Sequence, residues 1–362
     1  MRQLVLLSFL GLVAAAVPLS FSGWSATKDI PERKRPAKCD PSTVIATIEE
    51  NVSSPIYLSC SVTLPKKTTI YRRIIFEGPH ASGALLDCNG STIDTSHGAG
   101  TLDRIAIEVR SAIRQDGTWD APEGVTIKNC TVRGFIRIRG LDYTASGPNM
   151  RLSSLNRDHT TFAQSAAPKH TVLANLSITT PGNIALYIGP GVTGTTLKDS
   201  TISGRSRSTA IYIDAESRGN IISNNDIDVV TRSREQIAID GSSFNRIVGN
   251  TFRDSSSGGV FIYRNCGEQG VIRHQKPEYN LISGNLFSFK DRPPLRPIVW
   301  LGSRGGTQSY CFSDPQHPFG SSASPLDYAQ FNTVQMNVVV GSTLSLIRDD
   351  GVGNVIENNR QE

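Results

Sequence analysis

The sequence is poor in charged residues, and several well-known signatures are missing from it. Asp, Glu, Lys and Arg make up 19% of the 362 residues, and the net charge is only +5. There is no Cys-x-x-Cys pair and the histidines do not cluster, so a zinc site is not indicated. No apolar stretch beyond the N-terminal segment is long enough to span a membrane. Neither helical spacing nor a Leu-x-x-Leu-x-Leu core recurs, which excludes helical and leucine-rich repeats.

What the sequence does contain is a repeat built on asparagine. The phrase Asn-x-(Ile/Val)-x-x-Asn occurs five times, with its first Asn at positions 220, 245, 280, 332 and 354. The steps between these positions are 25, 35, 52 and 22 residues. A unit of roughly 22–25 residues with insertions at one place explains all of the steps, and regular self-similarity of this length indicates a solenoid.

The apolar residues of each copy alternate at a period of two, which is the spacing of a β-strand. Short strands separated by Gly, Asn, Ser and Asp are typical of a parallel β-helix, in which each coil adds one strand to each of several sheets. An Asn that recurs at one corner tolerates the left-handed backbone of a sharp turn. Its amide can also form a hydrogen bond with the Asn of the next coil.

These repeats, together with the phrase Gly83-Ala-Leu-Leu-Asp-Cys-Asn-Gly-Ser-Thr-Ile93, resemble the right-handed parallel β-helix superfamily. That superfamily includes pectate lyases, polygalacturonases and NosD-like repeat proteins. The resemblance covers roughly residues 80–360 and implies an all-β, right-handed parallel β-helix solenoid with long loops from its C-terminal coils. Lyases, hydrolases, epimerases, tailspikes and adhesins all share the fold, so the activity stays open.

We expect three segments along the chain. Residues 1–25, with Arg2 ahead of an apolar run that Pro18 interrupts, have the pattern of a secretory signal peptide cleaved after Ser25 rather than of an uncleaved anchor. Residues 26–80 are expected to form a polar lead-in and an N-terminal cap, and residues 81–362 the β-helix domain. The basic run 33–35 is interpreted as a solvated tail, not a nucleic-acid site. The mature protein is expected to be a secreted or periplasmic monomer without membrane contact.

Six cysteines after a signal sequence indicate disulfides formed in an oxidising compartment. Cys266 follows one strand and Cys311 lies in the loop after the next strand, so we pair these two. Cys39 with Cys60, and Cys88 with Cys130, are the remaining pairings. We expect no cofactor. A calcium ion between Asp side chains of neighbouring coils is compatible with the sequence, but the spacing does not require it.

Chemistry is expected on one face of one sheet. When the strands are aligned by their inward apolar residues, the last outward position holds Glu108, Arg139, Gly189, Asp214, Asp240 and Tyr263. The outward position before it holds Ala106, Arg137, Tyr187, Tyr212, Ala238 and Phe261. Carboxylates, arginines and aromatic rings therefore follow one another along the sheet.

Asp214 and Asp240 are the leading catalytic candidates. Adjacent coils lie about 4.8 Å apart, and two carboxylates at that separation repel, so that one tends to hold a proton near neutral pH. A protonated and an ionised carboxylate are what glycoside hydrolysis requires. The alternative is that both are ordinary residues of strand ends and turns. Glu216 is interpreted as a corner residue.

Aromatic and basic residues near this pair are the expected substrate contacts. Tyr187, Tyr212 and Phe261 can stack on sugar rings, while Arg139 and Arg264 can hold an acidic group. Insertions at residues 265–278 and 302–330 leave neighbouring coils just beyond this line, and long loops of this kind often carry function. They contribute Arg273 and His274, and a Cys266–Cys311 bridge would join them as one wall of a groove.

Three functions remain open. The first is hydrolysis of an extended polysaccharide by Asp214 and Asp240. The second is elimination on an acidic polymer, with Tyr263, Arg273 or His274 as the base and Arg264 as a clamp. The third is a non-catalytic β-helix that binds glycan or another protein. An epimerase is disfavoured because an Asp-Pro-His-Asp motif is absent.

Overall fold

The computed structural model describes residues 38–40, 42, 44, 54–253, 255–289 and 294–362. The expected signal peptide at residues 1–25 and nearly all of the lead-in lie outside these residues. Within them, the chain winds through three sheets of ten parallel strands, and each coil adds one strand to each sheet. This arrangement is a parallel β-helix. Its strands are numbered in chain order below.

Sheet 1 carries the candidate residues on its outer face. Its strands are β1 (Ile56–Tyr57), β4 (Ile74–Glu77), β7 (Ile105–Arg110), β12 (Phe135–Arg139), β15 (Leu186–Ile188), β18 (Ile211–Ile213), β21 (Ile237–Asp240), β24 (Val260–Tyr263), β27 (Val299–Leu301) and β30 (Ile347–Asp349).

Sheet 2 contains the apolar centre of the asparagine repeat. Its strands are β2 (Val62–Thr63), β5 (Leu85–Asp87), β10 (Thr126–Lys128), β13 (Val172–Ala174), β16 (Thr196–Lys198), β19 (Ile221–Ser223), β22 (Arg246–Val248), β25 (Leu281–Ser283), β28 (Thr333–Gln335) and β31 (Val355–Glu357).

Sheet 3 closes each coil. Its strands are β3 (Thr69–Ile70), β6 (Thr92–Asp94), β11 (Thr131–Arg133), β14 (Ser177–Gly182), β17 (Thr201–Ser206), β20 (Asp226–Thr231), β23 (Thr251–Arg253), β26 (Leu286–Ser288), β29 (Val338–Val340) and β32 (Arg360–Gln361).

A few elements lie outside the three sheets. They are the antiparallel hairpin β8 (Ala112–Ile113) and β9 (Trp119–Asp120), the helices α1 (Pro148–Ser154), α2 (His159–Ser165) and α3 (Gly320–Ala323), and the 3-10 turns Pro79–Ala81, Glu268–Gly270 and Leu344–Leu346. No helix in the described part of the chain has the length and apolar character needed to cross a membrane.

The sheets begin earlier than the sequence predicts. Strand β1 starts at Ile56, inside the segment 26–80 that we expected to form the lead-in and cap. The first strands in this region are only two residues long, so their alternation is too short to recognise in the sequence. The pairings Cys39–Cys60, Cys88–Cys130 and Cys266–Cys311 are all present in the structure.

Two ladders of buried asparagines hold the coils together on either side of sheet 2. The Oδ1 atom of Asn245 accepts hydrogen bonds from the backbone N and the Nδ2 of Asn220, both at 3.0 Å. Asn250 does the same for Asn225 at 3.0 and 2.9 Å. Each amide thereby satisfies a backbone group at a corner that would otherwise be buried without a partner. The ladders continue through Asn280, Asn332 and Asn354 and through Asn285, Asn337 and Asn359.

The register of sheet 1 differs from the sequence alignment at one place. Glu108 lies opposite Arg137, and Arg139 lies opposite Arg110, because the pairing of β7 with β12 shifts between Phe135 and Ile136. From Arg137 onward the outer column continues through Tyr187, Tyr212, Ala238, Phe261 and Trp300. Asp240 lies opposite Tyr263, as the alignment requires.

We predict that Asn250→Ala lowers the free energy of unfolding by about 2–5 kcal/mol, because the buried N and Nδ2 of Asn225 lose their acceptor. Urea unfolding followed by circular dichroism measures the loss. Asn359→Ala is the matched control: it also accepts two hydrogen bonds but lies half-buried in the last coil, where water can replace it. We expect a loss of about 1 kcal/mol there. Equal losses in the two variants would contradict this account of the ladder.

Candidate functional site

The outer face of sheet 1 is covered by three segments rather than left open to solvent. One is the helical insertion, residues 140–168, which contains α1 and α2. The others are the first loop, residues 265–278, and the second loop, residues 302–330. The backbone N of Ala145 in the helical insertion donates to Asp214 Oδ2 at 2.9 Å. Asp214 is consequently only 3% exposed, although it lies on the outside of the coil.

The helical insertion and the first loop are joined to each other around Glu216. The Glu216 carboxylate accepts hydrogen bonds from the hydroxyl of Thr160, the backbone N of His274 and the backbone N of Gln275. It has a left-handed backbone at φ 62°, as expected for a corner residue. This completely buried side chain therefore connects both covering segments to the coil beneath them.

A cleft of about 320 Å³ remains between the covering segments. Its floor is formed by Tyr187, Tyr212 and Asp214 of sheet 1. The residues around them are Thr144, Ala145 and Ser146 of the helical insertion, Ile184 and Arg234 before the strands, Asn265, Glu268, Gln269 and Arg273 of the first loop, and Arg304 and Tyr310 of the second loop.

Two tyrosine–aspartate pairs on successive coils are the central feature of the site. The hydroxyl of Tyr187 donates to Asp214 Oδ2, and the hydroxyl of Tyr212 donates to Asp240 Oδ2 at 2.7 Å. The two tyrosine rings stack with their centroids 5.5 Å apart. This stacking follows from the parallel register, in which Tyr187 lies directly opposite Tyr212. Each phenol oxygen is thus held within hydrogen-bonding distance of a buried carboxylate.

Asp214 is the titrating group of the site. Burial raises the pKa of its carboxyl to about 6, and the nearby Asp240 carboxylate adds to the rise, while the Arg273 guanidinium opposes it. Burial and the adjacent carboxylates also raise the pKa of the Tyr187 and Tyr212 phenols. A proton can therefore reside on Asp214 near neutral pH, whereas the two tyrosines stay protonated at rest.

Arg273 places a buried positive charge at the cleft, close to the Asp214 carboxylate. Its guanidinium is 2% exposed, and its Nη1 lies 3.9 Å from Asp214 Oδ1, which is too far for a hydrogen bond. Among the described residues, neither Nε nor Nη1 has a hydrogen-bond acceptor. A buried donor without a partner is costly, and the partner that suits a guanidinium best is an anionic group such as a carboxylate.

Several predicted site residues lie beneath the cleft rather than in it. Asp240 is fully buried and accepts three hydrogen bonds, from Tyr212 and from the backbone N and Nδ2 of Asn265 at 2.8 and 2.7 Å. Tyr263 is also fully buried, and its hydroxyl accepts from Arg234 Nη2 at 2.7 Å and donates to Glu235 at 3.3 Å. Phe261 is buried in one apolar cluster with Ala238 and Tyr263. These residues support the floor of the cleft.

Three further predicted contacts are engaged elsewhere. Arg139 forms an ion pair with the buried Glu108 at 2.6 Å, on the coils before the cleft. Arg264 is buried and donates to the carbonyls of Arg273, Ser324 and Leu326, so it holds the two loops in place. The Nε2 of His274 lies 2.7 Å from the carbonyl oxygen of Ser154 in the helical insertion. None of the three lines the cleft.

Other cleft residues were not singled out from the sequence. Arg234 comes just before a strand and Asn265 just after one, positions that the outward alignment does not include. Arg304 and Tyr310 belong to the second loop, whose length is the only signal for it in the sequence. The Tyr310 hydroxyl donates to Asn265 Oδ1 at 2.9 Å, and the disulfide between Cys266 and Cys311 fixes this contact beside it.

No group of three or more His, Cys, Asp or Glu side chains within the described ranges is arranged to hold a metal ion. The donors of the cleft are instead hydroxyls and guanidiniums, which suit an anionic organic ligand.

Comparison with known proteins supports the architecture. Residues 111–285 match a family model described as a right handed beta helix region. The fold of the described residues is a right-handed parallel β-helix. No curated protein sequence matches it.

Three solved structures are similar to this chain at low sequence identity. An alginate lyase from Paenibacillus sp. str. FPU-7 is 12% identical over 90% of this chain and 94% of its own, with a TM-score of 0.41. A tailspike protein of E. coli bacteriophage HK620, solved with a pentasaccharide, is 11% identical over 90% of this chain and 61% of its own, with a TM-score of 0.37. A GH136 lacto-N-biosidase from Eubacterium ramulus is 11% identical over 86% of this chain and 44% of its own, with a TM-score of 0.37.

The raised pKa of Asp214 predicts a specific pH dependence of stability. Because the folded state favours the protonated carboxyl, its contribution is full below the ordinary pKa of 3.8 and is lost as the pH rises through about 6. The loss amounts to roughly 3 kcal/mol. This contribution is absent in Asp214→Asn. The unfolding free energy of the wild type minus that of the variant should therefore fall as the pH rises from 3.8 to about 6. Urea unfolding at a series of pH values tests this, and parallel curves would contradict the prediction.

Proposed function

We propose that this β-helix binds an acidic polysaccharide in the cleft and cleaves it by elimination. The observation that carries the proposal is the buried Arg273 guanidinium, whose Nε and Nη1 have no acceptor among the described residues. Its Nη1 lies 3.9 Å from Asp214, the carboxylate to which the Tyr187 hydroxyl donates. Arg234 and Arg304 add two more positive charges to the lining. A uronate carboxylate would supply the acceptors that Arg273 lacks, since guanidinium and carboxylate groups form paired hydrogen bonds.

Elimination needs a base, a charge clamp and a proton for the leaving oxygen. Tyr187 takes the proton from the carbon next to the uronate carboxylate as its own proton moves to Asp214. Arg273 stabilises the charge that develops on the carboxylate. The bond from the neighbouring carbon to the glycosidic oxygen then breaks and a carbon–carbon double bond forms. Asp214 returns its proton to Tyr187, and Tyr187 protonates the leaving oxygen, so the proton count balances.

The geometry favours this route over hydrolysis by Asp214 and Asp240. A pair of catalytic carboxylates must reach the scissile bond from two sides. Asp240 is fully buried behind Tyr212 and Asn265 and does not line the cleft. It is better described as a positioning residue, because it holds the Tyr212 hydroxyl and the first residue of the first loop.

Hydrolysis with a different pair is the second candidate. Glu268 of the first loop lines the cleft, and its Oε2 accepts a hydrogen bond from the Ser146 hydroxyl at 3.4 Å. Asp214, with a pKa of about 6, has the protonation behaviour of a general acid. In this alternative Asp214 protonates the leaving oxygen and Glu268 activates water.

Secretion is part of the proposal. The three disulfides indicate that the chain folds in an oxidising compartment. Extended acidic polysaccharides are encountered outside the cytoplasm, which agrees with the signal peptide expected at residues 1–25.

We predict that Tyr187→Phe lowers kcat on an acidic polysaccharide by about 10²–10⁴-fold, because it removes only the hydroxyl that moves the proton. The assay measures reducing ends and the ultraviolet absorbance of an unsaturated uronate, over a panel of acidic and neutral polysaccharides. Tyr279→Phe is the matched control, since Tyr279 is an exposed tyrosine stacked on Phe244 away from the cleft. Reducing ends without absorbance, lost in Glu268→Gln and Asp214→Asn, would replace elimination with hydrolysis.

We also predict that Arg273→Lys raises KM for acidic substrates by at least about ten-fold, because lysine keeps the charge but loses the planar pair of donors. Initial rates over a range of substrate concentrations give KM. Circular dichroism and the urea midpoint check that the variant is folded. A folded variant with unchanged KM would exclude Arg273 as the uronate clamp. Binding of polymer without any product would identify the β-helix as a non-catalytic glycan-binding protein.

A further inference from the structure

Two covering segments contact each other beyond the ends of the sheet 1 strands. The helical insertion and the first loop meet there, and the backbone N of Ile272 donates to the Ser154 hydroxyl at 3.1 Å. Gln164 Nε2 donates to Gln275 Oε1, also at 3.1 Å. These contacts join two segments far apart in sequence into a continuous wall.

The cleft is open on the opposite side, where the strands begin. The lining residues on that side are Ile184, two residues before β15, and Arg234, three residues before β21. A volume of about 320 Å³ is at the lower end of the range for small-molecule sites. The cleft therefore has room for a short piece of a polymer.

An exposed group of arginines, which we call the arginine strip, lies beside this entrance. It consists of Arg205, Arg207 and Arg232. Arg207 and Arg232 lie at equivalent positions on successive coils. The backbone N of Arg207 donates to the Gly182 carbonyl of the coil before it, and the backbone N of Arg232 donates to the Ser206 carbonyl, next to Arg207. No carboxylate among the described residues forms an ion pair with any of the three arginines. The strip is thus a free positive surface, two residues along the chain from Arg234 of the cleft.

The surface between these arginines has the shape of a shallow trough. Pro181, Gly182, Gly204 and Val230 form its floor, and its volume is about 650 Å³. Gly204 has a positive φ of 105°, and a Cβ there would lie 2.4 Å from the Thr180 carbonyl oxygen. A glycine is therefore required at this point, and it keeps the floor flat. A second depression, lined by Arg104, Asn183 and Arg207, continues from the trough to the residue before Ile184.

We propose that the cleft accepts the end of an acidic polysaccharide chain and that the arginine strip holds the units that follow, so that cleavage proceeds from the chain end. The inference rests on the proposed function, since it takes the cleft as the site of cleavage. It adds a mode of action and a second binding surface for the same substrate. The free charges of the strip attract the carboxylates of a chain whose end is held by Arg273.

The number of protein molecules bound per polymer chain tests the chain-end inference. Tyr187→Phe protein, which should bind without cleaving, is titrated with size-fractionated polygalacturonate and polymannuronate of increasing length. We expect one protein per chain at every length, because each chain offers one end of the required kind. A number that rises with chain length would mean that the cleft accepts internal units, and it would overturn the chain-end inference while leaving the proposed function intact.

Substitutions in the strip test its role. We expect Arg207→Gln combined with Arg232→Gln to raise KM on the wild-type background by about two- to five-fold per charge removed. The increase should be larger for long chains than for trimers, because trimers end before the strip. Arg246→Gln is the matched control, since Arg246 is an exposed arginine on β22 of sheet 2, a different face. An equal effect of the control and the double variant would exclude the strip as a binding surface.

Product sizes provide an independent readout. Cleavage from the chain end releases short products from the start of the reaction. The viscosity of the polymer solution then falls slowly relative to the number of reducing ends formed, and both results would support the inference. Early products of intermediate length overturn the chain-end inference but not the cleavage itself. Failure to bind or cleave any acidic polymer overturns the proposed function, and the chain-end inference with it.

Discussion

The stacking of coils in register is the constraint on which the rest of this structure depends. Because neighbouring strands are parallel and adjacent, every residue lies next to its counterpart on the following coil. Asparagine amides use this repetition to satisfy the backbone of buried corners, as Asn245 does for Asn220. The same repetition places Tyr187 on Tyr212 and Asp214 beside Asp240. The pattern that stabilises the fold therefore also assembles the functional groups.

Stacked coils alone give an open sheet face. The covering segments bury part of that face and form the walls of the cleft. A sheet face in contact with water would leave Asp214 with an ordinary pKa, whereas burial under Ala145 raises it to about 6. Glu216 supports this cover, since it accepts hydrogen bonds from both the helical insertion and the first loop. Its corner position on the coil provides a fixed attachment point. The insertions thus bury Asp214 and raise its pKa. The coils determine where the insertions are attached.

The sequence predicted the repetitive part of the molecule well, for a physical reason. The asparagine motif, the alternating strands and the outward positions of Tyr187 and Asp214 are local patterns repeated many times. The start of the sheets at Ile56 was missed because the first strands are two residues long. The shift that places Glu108 opposite Arg137 was missed because a single irregularity in strand pairing leaves no pattern in the sequence.

The site was only partly predictable, because its shape depends on contacts between distant segments. Nothing in residues 140–168 indicates that Ala145 reaches Asp214, or that Ser154 meets Ile272. The same cover turns Asp240 and Tyr263 from outward residues into buried supports. Identifying a residue as outward-facing on a coil therefore predicts its direction but not its exposure.

The unpartnered donors of Arg273 connect stability with function. Leaving buried N–H groups without acceptors costs about 1–3 kcal/mol each. The surrounding structure tolerates this cost because the Cys266–Cys311 bridge and the carbonyl contacts of Arg264 hold the two loops together. In the proposed function, a carboxylate that enters the cleft gives these donors an acceptor. The destabilisation of the folded state is then relieved, which makes the binding free energy more favourable. Rigid loops are needed for this exchange, because a flexible loop would let Arg273 turn towards water instead.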